Sequence, residues 1–477
     1  MALAQAVTWS FLADVASKAI QPVVFVVLAR FLSPEEFGIL AAAMMVIGFS
    51  QIFWEAGMSK ALIQRQTEVD IAANVAFGVN LLLAFTVCSL LYLGSDRIAD
   101  LFFHDDRVST VLKVMTVQVL LAALSAVHVA LLQKNMDFRK LFWVRLATVS
   151  LPGVASIPLA WAGFSYWSLV AGTIVGHLAQ LIVLWSTSDW RPSARYSPVV
   201  ARELVTFGAW VAAAGLLAWF YSWGDSLVVG LFLGSHDLGL YRTGNQLAIM
   251  VFGFIFGPCV PVLYSYLSSK RGDLGEIATV STIVIKSLVV LAIPLAVIAF
   301  SLSGTVERTV FPSQWSGIGL VLGIMSLTHG FAWIVGMNGE IYRASGAPKY
   351  ETYVPAATLI LYLAVYLVAI QYGLTTFLWS RFALALAGIM LHFALFRYLV
   401  KRPLAPMLGF AAIVLTVTVL EVWAIKTLIF ATIISEWARL IVGGGVAVAA
   451  VAVTLYAIER RGFVRELRLI FERPRAA

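Results

Sequence analysis

Apolar runs of about 20 residues recur from one end of this chain to the other, and they restrict its fold more than any other feature. A helix rising 1.5 Å per residue needs about that length to cross a hydrocarbon layer roughly 30 Å thick. No water reaches backbone amides inside such a layer, so a spanning segment is either a helix or a strand of a closed barrel. Hydrophobicity within the runs is mixed and does not alternate, which is the helical pattern. Composition agrees: the chain is 61% hydrophobic and 12% charged, with mean hydropathy +0.91. Soluble domains carry about 25% charged residues. The expected class is an all-α integral membrane protein.

About fourteen spans follow from the runs, near residues 6–28, 37–58, 73–95, 108–132, 142–163, 167–186, 207–232, 240–266, 278–302, 317–337, 353–372, 377–399, 406–425 and 437–458. No basic residue precedes Lys18, and the first run holds Asp14, Lys18 and Gln21. A retained first helix is therefore expected, not a cleaved signal peptide. One set of loops, with the C-terminal tail, collects about 20 basic residues, among them Lys60, Arg65, Lys134, Arg139, Arg191, Lys270 and Arg402. The alternate loops hold about five. That bias places the N- and C-termini in the cytoplasm of a bacterial inner membrane. It also accounts for the net charge of +8 without nucleic acid. The tail over 459–477 is basic and amphipathic, suited to an anionic leaflet or to solvent.

The stretch from Arg30 to Leu40 is echoed once. Phe31-Leu32-Ser33 and Phe37-Gly38-Ile39 return as Phe232-Leu233-Gly234 and Leu238-Gly239-Leu240, each pair 201 positions apart (31 to 232, 38 to 239). Both copies carry acids in the turn, Glu35 and Glu36 in one and Asp237 in the other, and these are expected to be solvated. Internal repetition of this kind is common in transporters built from two similar halves.

Several chemistries find no support. No P-loop, HExxH or Gly-x-Ser-x-Gly occurs, and the longest stretch between spans, Thr187 to Thr206, is too short for a soluble domain. Cys88 and Cys259 lack metal or disulfide spacing, and the six histidines are scattered over different segments. No metal or cofactor is expected.

Polar groups inside the spans are the functional candidates, because a charge at mid-bilayer costs about 2.5–3.5 kcal/mol and must face a partner or a wet cavity. Ser10, Asp14, Ser17, Lys18 and Gln21 share one helix face. Asp14 and Lys18 either neutralise each other and pack, or line a cavity. Ser222, Asp225 and Ser226 mark the seventh span, and Arg242, Asn245 and Gln246 one face of the eighth. Arg145, Lys286 and Arg381 are further buried bases, each lining a path or paired locally. Buried acids are fewer: Asp14, Glu55 and Asp225. An excess of buried bases suits an anionic passenger, phosphate above all. Trp210, Trp219, Tyr221 and Trp223 suit either sugar stacking or lipid and core packing.

The Arg30–Gly38 loop, Glu55–Arg65 (EAGMSKALIQR), Phe77–Asn80, Tyr166–Gly172 (YWSLVAG) and Leu238–Ala248 (LGLYRTGNQLA) together resemble the polysaccharide-transport family of the MOP flippase superfamily, in particular its colanic-acid and succinoglycan branch. The likeness covers roughly the first 270 residues in order, and only hydropathy carries it further. The resemblance implies two pseudo-symmetric six-helix bundles, 1–205 and 206–402, around a central cavity, with two further helices over 403–458. It implies a passenger of undecaprenyl diphosphate carrying an oligosaccharide, moved to the outer leaflet by a proton or sodium gradient. A polysaccharide polymerase and a chain-length regulator are the possible protein partners. Lys18, Arg145, Arg242, Asn245, Lys286 and Arg381 are candidates for the substrate path, and Asp14, Glu55 and Asp225 for ion coupling. A related multidrug cation antiporter would need an acidic cavity. A membrane polymerase or ligase would need a large outward loop, and the longest here, Ser95–Arg107 and Gly304–Ser316, are about a dozen residues.

Overall fold

The computed structural model describes residues 9, 20–269, 273–401, 405–428 and 435–459. Asp14, Lys18 and the basic tail lie outside the described residues. Among the described residues, twelve helices are long and apolar enough to cross a membrane. In chain order the helices are α1 (Ile20–Ala29), α2 (Pro34–Glu55), α3 (Met58–Gln64), α4 (Val69–Phe102), α5 (Asp106–Lys134), α6 (Phe138–Trp161), α7 (Tyr166–Thr187), α8 (Pro198–Phe256), α9 (Cys259–Ser269), α10 (Leu274–Val310), α11 (Ile318–Trp333), α12 (Asn338–Ala344), α13 (Tyr350–Ala369), α14 (Leu374–Val400), α15 (Ala405–Leu428) and α16 (Gly444–Glu459).

The 59-residue α8 contains two of the expected spans. Gly234 breaks it, with φ 81° and ψ −175°. Along a straight helix residues 225 and 241 would lie about 24 Å apart. Instead the Tyr241 hydroxyl donates to Asp225 Oδ2 at 2.7 Å, so the chain folds back into two arms, 198–233 and 235–256. With α8 counted as two crossings and α1 as the end of the first span, helix order agrees with the fourteen expected. Two helices run well past their apolar runs: α4 has 34 residues and α10 has 37. The polar stretches read as outward loops are largely their last turns, which hydropathy does not register.

The chain forms two compact units, Met1–Arg242 and Thr243–Ala477. The first includes the first arm of α8, which lies against α2. There Gly208 comes so near that a Cβ would stand 1.9 Å from the Ala56 carbonyl oxygen, and Trp219 meets Phe49 edge-on at 4.9 Å. Helices α6 and α7 close through Gly172 and Gly176, whose missing Cβ atoms would strike Ser156 and Pro152. Residues of α3, α4, α5 and the first arm of α8, including Met58, Leu62, Ala73, Ala130 and Leu204, form a core at one end.

The turn acids of the first repeat are engaged, not merely solvated. Glu36 completes a capping box with Ser33, whose amide donates to it at 2.6 Å, and it also accepts from the Ser165 hydroxyl. Glu35 pairs with Arg107. The two copies of the repeat touch reciprocally. A Cβ on Gly38 would fall 1.7 Å from Ser235 O, and one on Gly239 would fall 1.8 Å from Pro34 O. Ser235 is the counterpart of Pro34 at the same 201-residue offset, so the contact has its own local two-fold symmetry.

In the second unit α10 packs with α11 and α15, and α11 with α14. Glu307 accepts from the amides of Gly317 (3.2 Å) and Gly319 (2.6 Å) at the start of α11, where the helix dipole favours an anion. A groove of about 1200 Å³ opens here, walled by Phe300, Leu327, Phe331, Trp379, Phe382 and Trp423. Arg308, Lys426 and Arg439 also line it. Glu436 binds both arginines, at 3.3 and 2.7 Å.

Candidate functional site

The last turns of α2 place Gln51 and Glu55 on one face, with the Gln51 amide donating to Glu55 Oε2 at 2.9 Å. Helix α2 then stops at Ala56 (φ 39°) and Gly57 (φ 66°). Gly57 is needed twice over, since its φ is left-handed and a Cβ would sit 2.5 Å from Val211. The short turn starts α3 and brings Ser59 and Lys60 beside Glu55.

Two cavities share Gln51, Glu55 and Lys60 as a common wall. One, of about 330 Å³, lies between α2 and the first arm of α8 and is lined by Trp219, Ser222 and Trp223. Gly48 and Gly215 keep it open: a Cβ on Gly48 would reach only to 3.7 Å from the Trp219 indole nitrogen. The other, of about 320 Å³, lies between α2, α5 and α7 and is lined by Gln118, Gln133, His177 and Gln180.

At the Trp223 end the Arg242 guanidinium carbon stands 3.7 Å from the indole centroid. Stacking engages the flat face of the guanidinium, while its N–H donors lie in the plane at its edge. Asp225, 6% exposed, accepts from Tyr241 at 2.7 Å and from the Ser226 amide at 2.5 Å. These bonds make Asp225 part of the tie that closes the α8 hairpin.

The other sequence candidates separate. Asn245, 3% exposed, contacts His329 at 2.7 Å, whereas Arg242, one turn earlier on the same arm, stacks on Trp223. Arg145 is exposed on α6, which corrects its reading as a buried base: its neighbour Val144 faces inward, and the next residue along a helix points about 100° away from it. Lys286 is half-buried on α10, and Arg381 is half-buried on α14 with its guanidinium 5.9 Å from the Tyr366 ring. Among the described residues no group of three or more His, Cys, Asp or Glu side chains gathers to hold a metal. Gln51, Lys60, Gln118, His177 and Gln180 were not singled out from sequence. The signal was present in the spacing of Gln51, Glu55 and Ser59 at four and four, and of His177 and Gln180 at three. Reasoning keyed to charge passes over neutral amides.

A model of the family described as polysaccharide biosynthesis protein matches residues 27–319. The chain belongs to that family. The succinoglycan biosynthesis transport protein ExoT of Rhizobium meliloti (strain 1021) is 28% identical over 326 residues, 68% of this chain and 65% of ExoT. The match thus spans just under two thirds of that relative. The teichuronic acid biosynthesis protein TuaB of Bacillus subtilis (strain 168) is 22% identical, covering 83% of each chain. Among solved structures, the lipid II flippase MurJ in an inward closed conformation superposes with TM-score 0.75 at 16% identity, over 95% of this chain and 100% of MurJ. An inward-facing multidrug resistance MATE family transporter of the MOP superfamily superposes with TM-score 0.61 at 13% identity, over 81% of this chain and 99% of its own. These likenesses show the fold: this polysaccharide biosynthesis protein shares the multi-pass membrane helix arrangement of both.

Proposed function

We propose that this protein flips undecaprenyl-diphosphate-linked oligosaccharide repeat units across the bacterial inner membrane, for exopolysaccharide or lipopolysaccharide synthesis. Alternating access would be driven by a proton or sodium gradient, with both termini in the cytoplasm. The observation that carries the reading is Arg242 stacked on Trp223 at 3.7 Å beside a groove holding Lys60, Gln51 and Glu55. A guanidinium whose plane is fixed by an indole presents its fork to a phosphate, and Lys60 adds a point charge. Two bases, Lys60 and Arg242, stand at or beside the groove together with Glu55, and Asp225 faces Arg242 while accepting from Tyr241 and Ser226. The large groove of the second unit, apolar with three bases along it, has the chemistry of a seat for an anionic lipid. The MATE-like fold leaves a cation antiporter as the second reading, which calls for an acidic groove.

In vesicles loaded with lipid-linked oligosaccharide, the protein should expose the glycan to an external sugar oxidant when a proton or sodium gradient is imposed. Arg242→Ala should slow this by about tenfold, the loss of one charge-assisted hydrogen bond. Unchanged rates in Arg242→Ala, or export of organic cations in place of the lipid, would overturn the proposal.

A further inference from the structure

We infer that the cavity between α2, α5 and α7 is a glycan-binding site, in which Gln118, His177 and Gln180 hold the hydroxyls of a sugar in the lipid-linked oligosaccharide. This rests on the flippase reading and goes further, by separating where the sugar is held from where the diphosphate is held. Gln118 is 7% exposed and lines the cavity, yet its Oε1 has no hydrogen-bond partner among the described residues. His177 Nδ1, on the same lining, is likewise buried and unpartnered. Buried polar atoms in proteins are nearly always satisfied, so two of them on one cavity wall mark a place where something else supplies the partner.

The lining says what that partner is. Amide and imidazole groups each offer a donor and an acceptor, and a sugar hydroxyl needs both. A phosphate only accepts, and is better served by Arg242, stacked on Trp223 of the other cavity, and by Lys60 on the wall the two cavities share. Glu55 adds an acceptor, while Trp54 and Ala126 give apolar surface for the C–H face of a ring. The volume, about 320 Å³, falls at the low end of small-molecule sites of roughly 300–1,000 Å³ and suits a short saccharide. Gln51, Lys60 and Gln133 are exposed, whereas Gln118 and Ser125 are buried, so the cavity has a mouth and a floor. Lys60 and Gln133 adjoin loops that the charge bias assigns to the cytoplasm, the side from which the repeat unit is taken on this reading. Because the two cavities share Gln51, Glu55 and Lys60, one substrate can place its diphosphate in one and its sugar in the other.

The test is native mass spectrometry of the full-length protein with three probes: the lipid-linked oligosaccharide extracted from producing cells, the free oligosaccharide released from it by mild acid, and bare undecaprenyl diphosphate. Wild type should retain all three. Gln118→Leu/His177→Leu should bind the free oligosaccharide about tenfold more weakly, roughly 1.4 kcal/mol, and leave bare undecaprenyl diphosphate unchanged. The last result also shows that the variant is folded, and Gln118→Glu, which keeps an acceptor at the same place, should recover part of the loss. If wild type holds the lipid-linked form but not the free glycan, or the double variant holds the free glycan as well as wild type, the glycan site is wrong and the flippase reading stands. If wild type holds neither the lipid-linked form nor bare undecaprenyl diphosphate, the flippase reading falls and this inference with it.

Discussion

Asp105 shows how a single side chain ties two turns of the first unit together. It caps α5 by accepting from the Arg107 amide at 3.0 Å, accepts from Arg107 Nε at 2.9 Å, and accepts from Ser235 Oγ in the second copy of the repeat at 2.8 Å. Burial pushes its carboxyl pKa up, but the bonds from Arg107 and Ser235 outweigh burial and hold it below the usual carboxylate range. A depressed folded pKa stabilises above the unfolded value of about 3.9 and loses that contribution as pH falls through the folded one. The tie is therefore whole at neutral pH and weakens only in acid. Thermal unfolding in detergent should show Asp105→Asn less stable than wild type at neutral pH, with the gap closing below about pH 4. A gap that is constant with pH would mean that the carboxylate charge contributes nothing. Arg107 extends the tie to Glu35, so Arg107→Ala should mimic the variant at neutral pH.

At the scale of elements, the junction of the two repeats depends on what is missing from it. Gly38 and Gly239 each stand where a Cβ would overlap a carbonyl oxygen of the other copy, at 1.7 and 1.8 Å. No rotamer change relieves a clash with backbone, so either Gly→Ala substitution must push the two turns apart. Gly38→Ala and Gly239→Ala should each reduce transport at least about tenfold or destabilise by more than about 1 kcal/mol. Gly78→Ala, which meets nothing within 4 Å, should behave as wild type in both assays. Equal behaviour of all three variants in stability and transport would refute the close contact. The repeat itself was legible in the sequence, because local spacing and apolar length are written along the chain. Its self-contact was not, because two glycines meeting through backbone leave no side-chain signal. The hairpin in α8 was legible as two spans for the same reason that Gly234 interrupts it, whereas the tie between Asp225 and Tyr241 needed the fold. Of the candidate site residues, Glu55 lines the groove, Arg242 stacks on Trp223 of its lining, Arg145 is exposed and Asn245 contacts His329; the amide lining carries no charge pattern in the sequence.

For the whole molecule, orientation decides whether these parts serve the proposed passenger. The basic residues cluster near Lys60, Lys134, Arg191, Arg343 and Lys401, and loops on the alternate side hold few. The positive-inside bias predicts that the connection after α5, which contains Asn135, faces the cytoplasm and that the connection before α5, which contains His104, faces out. Both residues are exposed, so each can report its side. With Cys88 and Cys259 replaced by alanine, a membrane-impermeant maleimide applied to intact spheroplasts should label His104→Cys and spare Asn135→Cys until the membrane is opened. That outcome turns the mouth of the amide-lined cavity, near Lys60 and Gln133, toward the leaflet where the lipid-linked glycan is loaded. It also exposes the Asp105 tie to the external medium, so acid applied outside should loosen it. The reverse labelling would leave the helices and their packing as they are but turn the cavity mouth to the far side, and loading through it from the cytoplasm would fail on geometry alone.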